Sequence, residues 1–227
     1  MRKIDKDYKN IPEILSSERA EKHLQKIISK EEKSNAQGAI YRHDDVLNKL
    51  DSLYFKKCGY CEKITNNYEI EHYRPKDKEL YPYLSYEWSN IFPVCHHCNF
   101  HKKNLFPISS KVRNSDINIR DIKILNEIEE PKIINPEIDN PEEHFDFNIE
   151  TGEIIGKTSR ANETIKICDL NSDDLIYFRK KTIDPIIDTI ENINISTEVV
   201  SCNFFETIIK KIIINKRKNK EFSMFWQ

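Results

Sequence analysis

The sequence predicts an α+β fold in which helices dominate. Apolar residues recur at helical spacing near both ends of the chain, a central aromatic stretch carries two Cys-x-x-Cys pairs, and a short alternating segment turns on Thr151-Gly152. Residues 16–34 read as a helix, with Ser16 and Ser17 able to cap it and Ala20, Leu24, Ile27 and Ile28 on one side. Residues 40–56 read as a second helix carrying Leu47, Leu50, Leu53 and Tyr54. Residues 58–110 hold both cysteine pairs, many aromatics and four prolines. Residues 111–143 read as irregular, and the stretch 121–150 as an acidic, proline-punctuated connector with ten acidic and two basic residues. Phe145 to Ile155 reads as a hairpin, followed by helices near 161–168, 172–193 and 203–216 and a basic run at 216–220. Three regions result: an N-terminal helical element over 1–57, a cysteine-bearing core over 58–112, and a connector, hairpin and C-terminal helices over 113–227.

Composition narrows the function. With 38% hydrophobic and 33% charged residues, the chain has a modest core and a heavily solvated surface. No apolar run is of bilayer length, and no apolar segment follows the charged N-terminus, so neither a membrane span nor a signal peptide is expected. A cytoplasmic location follows from that reading, and in a reducing compartment clustered cysteines read as metal ligands. Cys168 and Cys202 stand alone and read as small buried hydrophobes. Net charge is −2, yet residues 56–113 carry ten Lys/Arg against six Asp/Glu. The positive segment is also the cysteine segment, and local positive charge beside a metal site suits a polyanion.

Cys58-Gly-Tyr-Cys61 and Cys95-His-His-Cys98 each place two thiolates on one tight turn, and two such turns complete a tetrahedral sulfur site. Redox-silent, thiophilic zinc fits it, in a structural role. His96 and His97 read either as replacement ligands or as exposed knuckle residues within reach of phosphate.

Between and beside the pairs lie Ile70-Glu71-His72-Tyr73-Arg74-Pro75-Lys76, then Trp88-Ser89-Asn90-Ile91, then Cys98-Asn99-Phe100-His101-Lys102. These stretches resemble the HNH endonuclease family. Its pattern is a Cys-x-x-Cys knuckle, an acidic residue followed by His, an Asn before the second knuckle, and a His or Asn straight after the last cysteine. The resemblance implies a ββα-metal core clamped by zinc. His72 would be the general base. Glu71 and the Asn99 carbonyl would hold a catalytic Mg2+ or Mn2+, and Asn90 would steady the loop that aims the histidine. Arg74, Lys76, His101, Lys102 and Lys103 are the phosphate-contact candidates. Many members carry Asp where this chain has Glu71 and His where it has Asn99.

The match extends through Ile134-Asn-Pro-Glu-Ile-Asp-Asn-Pro-Glu-Glu-His-Phe145, Arg160-Ala-Asn-Glu-Thr-Ile165, Leu170-Asn171 and Arg179. In these stretches the chain is similar to the HNH subunits of Septu-type anti-phage defence systems, also found as retron-associated effectors. That resemblance implies an ABC/SMC-like ATPase partner of the PtuA type, a DNA or tRNA substrate and, in retron systems, a reverse transcriptase with its RNA/DNA. The chain has no G-x-x-x-x-G-K-[ST] loop, so an ATP requirement would come from the partner. The acidic connector and the C-terminal apolar residues Ile208, Ile212 and Phe222 to Trp226 are candidate docking surfaces. Two other readings stay open: a non-catalytic zinc-knuckle module that binds nucleic acid or acts as an adaptor, and a stand-alone HNH nuclease. A pure binding module has no use for Glu71, His72 and Asn99 together, and a stand-alone nuclease needs a larger basic appendage than residues 216–220.

Overall fold

The computed structural model describes residues 1–31, 38–76, 81–110 and 119–195, with side chains of the last helix described to residue 188. The expected helix at 203–216, the basic run, the aromatic tail and Cys202 lie outside the described residues, as do Lys78, Lys111 and Arg113. Within them the fold is α+β, with eight α-helices and two small antiparallel sheets.

Helix α1 (Glu18–Ile28) starts where the Ser17 hydroxyl accepts from the Ala20 N–H at 3.2 Å. It buries Ala20, Leu24 and Ile27, and ends before Lys30, whose φ is 64°. The helix expected over 40–56 divides into α2 (Gly38–Tyr41) and α3 (Asp44–Tyr54). The break falls at His43, whose extended backbone lets its Nδ1 accept from the Asp45 N–H. Left-handed Phe55, at φ 54°, closes α3.

The centre is a strand pair followed by a helix. Strand β1 (Glu69–His72) pairs antiparallel with β2 (Ile91–Val94), setting Glu71 opposite Phe92 and His72 opposite Ile91. Helix α4 (His96–Lys102) follows β2 directly, with Cys95 as its N-cap. Behind β2, Phe92 is ringed by Tyr54, Tyr60 and Tyr73, whose centroids lie 6.3, 5.3 and 6.5 Å away. Gly59 lets the first knuckle approach this cluster, because a Cβ there would sit 2.8 Å from Phe92 Cδ2.

The stretch expected to be irregular contains two helices. Asp121 accepts from the N–H groups of Lys123 and Ile124 and starts α5 (Ile122–Glu129), which buries Ile122, Leu125 and Glu129 along one side. A short α6 (Pro141–His144) follows. Here the helical pattern is completed by a buried glutamate, which a search for apolar periodicity passes over. Nor is the acidic connector a free surface throughout. The Glu137 carboxylate is buried, accepts from Tyr54 at 2.6 Å and pairs with Lys6 at 3.0 Å. Lys6 also donates to the Trp88 and Ile91 carbonyls at 2.7 and 2.6 Å, and lies 3.7 Å over the Trp88 ring. Burial raises the Glu137 carboxyl above its usual range and lowers Lys6, each drawn back by the other. Asp139 takes both ends of the Arg160 guanidinium at 2.7 and 2.9 Å.

The expected hairpin forms from β3 (Phe145–Phe147) and β4 (Ile154–Gly156), with Gly152 at φ 79° in the connection. Helices α7 (Ser159–Cys168) and α8 (Asp173–Ile195) complete the described chain, α7 packing on α4 and β4. Asn171 anchors β4 by accepting from the Ile154 N–H at 2.8 Å and donating to its carbonyl at 2.9 Å. Buried Arg179 donates to the carbonyls of Gly152 and Leu170. No helix among the described residues is long and apolar enough to cross a membrane.

Candidate functional site

The four knuckle cysteines converge. Cys58, Cys61, Cys95 and Cys98 are all buried, and their sulfurs lie within 4.8 Å of one another, with Cys61 and Cys95 at 3.6 Å. Zn–S bonds near 2.3 Å put the sulfurs of a tetrahedral site roughly 3.8 Å apart, so the cluster fits a zinc ion. The crowding also drives the thiols apart in acidity. Sulfur contacts from Cys58 and Cys61 hold Cys95 far below the usual thiol range, while those from Cys58 push Cys61 and Cys98 up. One cation would replace these mutual contacts with four metal bonds. The lone Cys168 is buried, as its setting in the sequence implied.

On the other side of β1 and α4 opens a cavity of about 350 Å³, lined by residues that include Arg42, Glu71, His72, Lys76, Asn99 and Lys103. The strand brings Glu71 and His72 to it, and the first turn of α4 brings Asn99. His72 is 5% exposed. Its Nε2 donates to the Ser85 carbonyl at 2.9 Å, which leaves Nδ1 as the lone-pair nitrogen. Burial, reinforced by Lys76, pushes the imidazole down to about 3, so the ring is neutral at physiological pH.

Asn90 sets this geometry. It is fully buried, accepts from the Arg74 N–H at 2.9 Å and donates to the carbonyls of Arg74 and Leu84 at 3.0 and 3.3 Å. One amide therefore joins the end of β1 to the segment whose next carbonyl, that of Ser85, holds the histidine ring.

The two carboxylates of β1 are treated differently. Glu71 is 3% exposed and abuts the buried ammonium of Lys102. Its Oε1 is the oxygen that meets the Lys102 ammonium, and burial raises its carboxyl above the ordinary range while Lys102 draws it down. Glu69, two residues earlier on the same strand, accepts from His96 Nδ1 at 2.7 Å and from the Asn99 side-chain amide. The amide nitrogen of Asn99 is thus engaged and its oxygen is left as a donor to a cation. A buried carboxylate and an amide oxygen on one cavity are oxygen donors of the kind a hard divalent ion takes.

The expected phosphate contacts separate. Lys76 and Lys103 line the cavity, Lys76 donating to Tyr41 at 2.5 Å and Lys103 lying exposed at the end of α4. Arg74 does not: it is fully buried, with Nε on Glu129 at 2.7 Å and a terminal nitrogen on Asn126 at 2.8 Å. Lys102 is likewise fully buried against Glu71 and the His72 carbonyl. His101 points away, toward Asp169. Arg74 and Lys102 hold the fold, because the carboxylates that neutralise them exclude a phosphate from the same positions.

Two residues escaped the sequence reading. Arg42 reaches the cavity from the N-terminal helical element, through packing that no local pattern records. Glu69 lies two residues before Glu71, and the period of a strand could have placed both on one face. His96, one of the two knuckle histidines singled out in the sequence, is 81% exposed at its side chain and sits on the cavity rim beside Glu69.

No protein-family model matches the chain. A Septu protein PtuB from Bacillus mycoides (strain KBAB4) is 34% identical over 163 aligned residues, covering 64% of this chain and 53% of that protein. The chain is homologous to the Septu protein PtuB. A PtuB from Bacillus thuringiensis is 30% identical over 155 residues, covering 62% of this chain and 49% of its own length. The match to a Septu protein PtuA of the Bacillus mycoides strain is 31% over 153 residues, covering 61% of this chain and 21% of that protein. The chain therefore spans about half the length of the PtuB relatives and about a fifth of the PtuA relative.

Proposed function

We propose that this chain is a metal-dependent HNH-type endonuclease, the nuclease effector of a Septu-type anti-phage system controlled by a PtuA-type, ABC/SMC-like ATPase. The observation that carries the chemistry is the convergence of Glu71, His72 and Asn99 on one open cavity, beside a buried four-cysteine cluster. The antiparallel pair β1–β2 followed by α4 supports that reading, because it has the order of a ββα unit. Homology to PtuB supports the defence role. The match to a fifth of a PtuA shows a segment of this kind inside a longer protein, in keeping with a module that works beside further domains.

The side chains divide the work. His72, kept neutral by burial and fixed by Ser85, holds a lone pair ready to take a proton from water. An incoming phosphodiester brings negative charge, which raises the proton affinity of His72 when it is needed. Arg42, Lys76 and Lys103 are the cations placed to bind that phosphate. Glu71 and the Asn99 carbonyl would hold a Mg2+ or Mn2+ ion, which would supply Lewis acidity at the scissile group. Lys102 neutralises Glu71 otherwise. Cys58, Cys61, Cys95 and Cys98 would hold a zinc ion, which would fasten the knuckle that seats α4.

Purified chain, with and without its ATPase, is incubated with plasmid DNA and with total tRNA in Mg2+ or Mn2+, beside a His72→Ala variant whose zinc content is measured. Cleavage by the wild type alone, at equal zinc, supports the reading and names the substrate. Equal cleavage by both proteins removes His72 from the mechanism. Binding without cleavage under every combination leaves a zinc-knuckle binding module.

A further inference from the structure

A second cluster of metal-ligating side chains lies outside the four cysteines and the cavity. His97 and His101 stand one turn apart on α4, with ring centroids 4.6 Å apart. Facing them is Asp169, the left-handed residue at φ 49° that closes α7. The Nε2 atoms of His97 and His101 lie 3.4 and 3.5 Å from the same Asp169 oxygen, Oδ2. One ligand atom from each of the three residues falls within 4.8 Å of the others. His97 Nε2 also meets the Asp169 carbonyl at 3.0 Å and the Ser172 hydroxyl at 3.4 Å, hydrogen bonds that an ion would replace.

These separations suit a metal ion. Charge-assisted N–H to carboxylate hydrogen bonds run at roughly 2.7–2.9 Å, and both histidine contacts to Oδ2 are longer. Zn–N and Zn–O bonds of roughly 2.0–2.2 Å place the donors of a tetrahedral site about 3.3–3.5 Å apart. Two imidazoles and a carboxylate form a borderline donor set, suited to Zn2+, Co2+ or Ni2+ and poorly suited to Mg2+. The side chains are 28%, 38% and 41% exposed, so an ion can enter and a solvent molecule can complete its coordination.

We propose that His97, His101 and Asp169 form a second transition-metal site, with zinc as its natural occupant, which ties α4 to the corner between α7 and α8. The helix it fastens carries Cys98 on its buried side and Asn99 on the cavity, so one short element is held by the knuckle and from its outer face. The site is independent of the nuclease reading.

The test uses the full chain, freed of metal and then dialysed against micromolar free Zn2+ or Co2+, with bound metal counted by mass spectrometry. The wild type is expected to hold two equivalents. His101→Ala and Asp169→Asn are expected to hold one, with second-site affinity falling by more than the roughly 10–100-fold typical of losing a supporting partner. Asn is at home in left-handed backbone, so Asp169→Asn preserves the helix end even if His101→Ala perturbs α4. Cobalt separates the sites: the cysteine site gives an intense thiolate charge-transfer band, and the second equivalent adds only weak visible bands, lost in both variants. A wild type that binds a single equivalent overturns the proposal. So does a second equivalent retained by both variants, or one displaced by millimolar Mg2+, which places the ion in the cavity instead.

Discussion

The depressed histidine at the cavity makes a prediction about stability that holds whether or not the chain cleaves anything. In the unfolded chain His72 takes up a proton near pH 6.5. In the fold, burial holds it at about 3. Between these values the unfolded state binds one more proton than the native state, so stability rises with pH across the window and falls on acidification. The slope is about 1.4 kcal/mol per pH unit, and going from pH 7 to pH 5 costs about 2 kcal/mol through this residue alone. The group is buried, so solvent screening takes little from that figure. His72→Gln keeps an N–H near the Ser85 carbonyl and removes the titration. Urea unfolding of both proteins at pH 7 and pH 5, at matched zinc content, isolates the effect, because acid loss of the cysteine site is common to both. The wild type should lose about 2 kcal/mol more than the variant. Parallel pH dependence in the two proteins would refute the claim that the fold keeps this ring neutral. If His72 is the base of the proposed cleavage, the same depression predicts that kcat/KM, which reports the free protein, shows no acid limb with a midpoint near 6.5 in a pH–rate profile.

Four other perturbations separate supporting residues from binding residues. Arg74→Leu strands the buried Glu129 carboxylate and should destabilise by about 3–5 kcal/mol in urea unfolding; unchanged stability with weakened nucleic-acid binding would restore Arg74 to the phosphate set. Arg42→Ala, at an exposed position on the cavity, should shift stability by less than about 0.5 kcal/mol. It should also lower the salt dependence of nucleic-acid binding by about one counterion, measured by titration at several salt concentrations. Gly59→Ala places a methyl 2.8 Å from the Phe92 ring and should cost about 1–3 kcal/mol in thermal unfolding. Cys95→Ser breaks the sulfur cluster at the N-cap of α4, and both zinc content and unfolding cooperativity should fall, as shown by metal analysis and calorimetry.

The local elements were legible because their causes are local. Ser17 caps α1, Gly152 turns the hairpin, and the two Cys-x-x-Cys turns meet as their spacing implied. The departures share one origin. α5 passed unread because its buried side ends in Glu129, a residue that counts as polar until Arg74 and Tyr81 satisfy it. The motif residues Arg160, Asn171 and Arg179 turn out to bind backbone carbonyls and other protein groups, roles with no signature in the chain.

By itself, then, the sequence determined the capped start of α1, the hairpin, the paired thiolates and the set of residue types gathered around Glu71, His72 and Asn99. Periodicity, capping and ligand spacing act over a few residues, where chain distance and spatial distance agree. Only the tertiary structure decided which cations are free. Arg74 and Lys102 are consumed by Glu129, 55 residues away, and by Glu71, across the β1–α4 contact. Arg42 arrives at the cavity from another element, and Asn99 turns its amide toward Glu69. A charge buried at low dielectric must be neutralised by whatever the fold brings beside it, and that partner is set by how strands and helices pack.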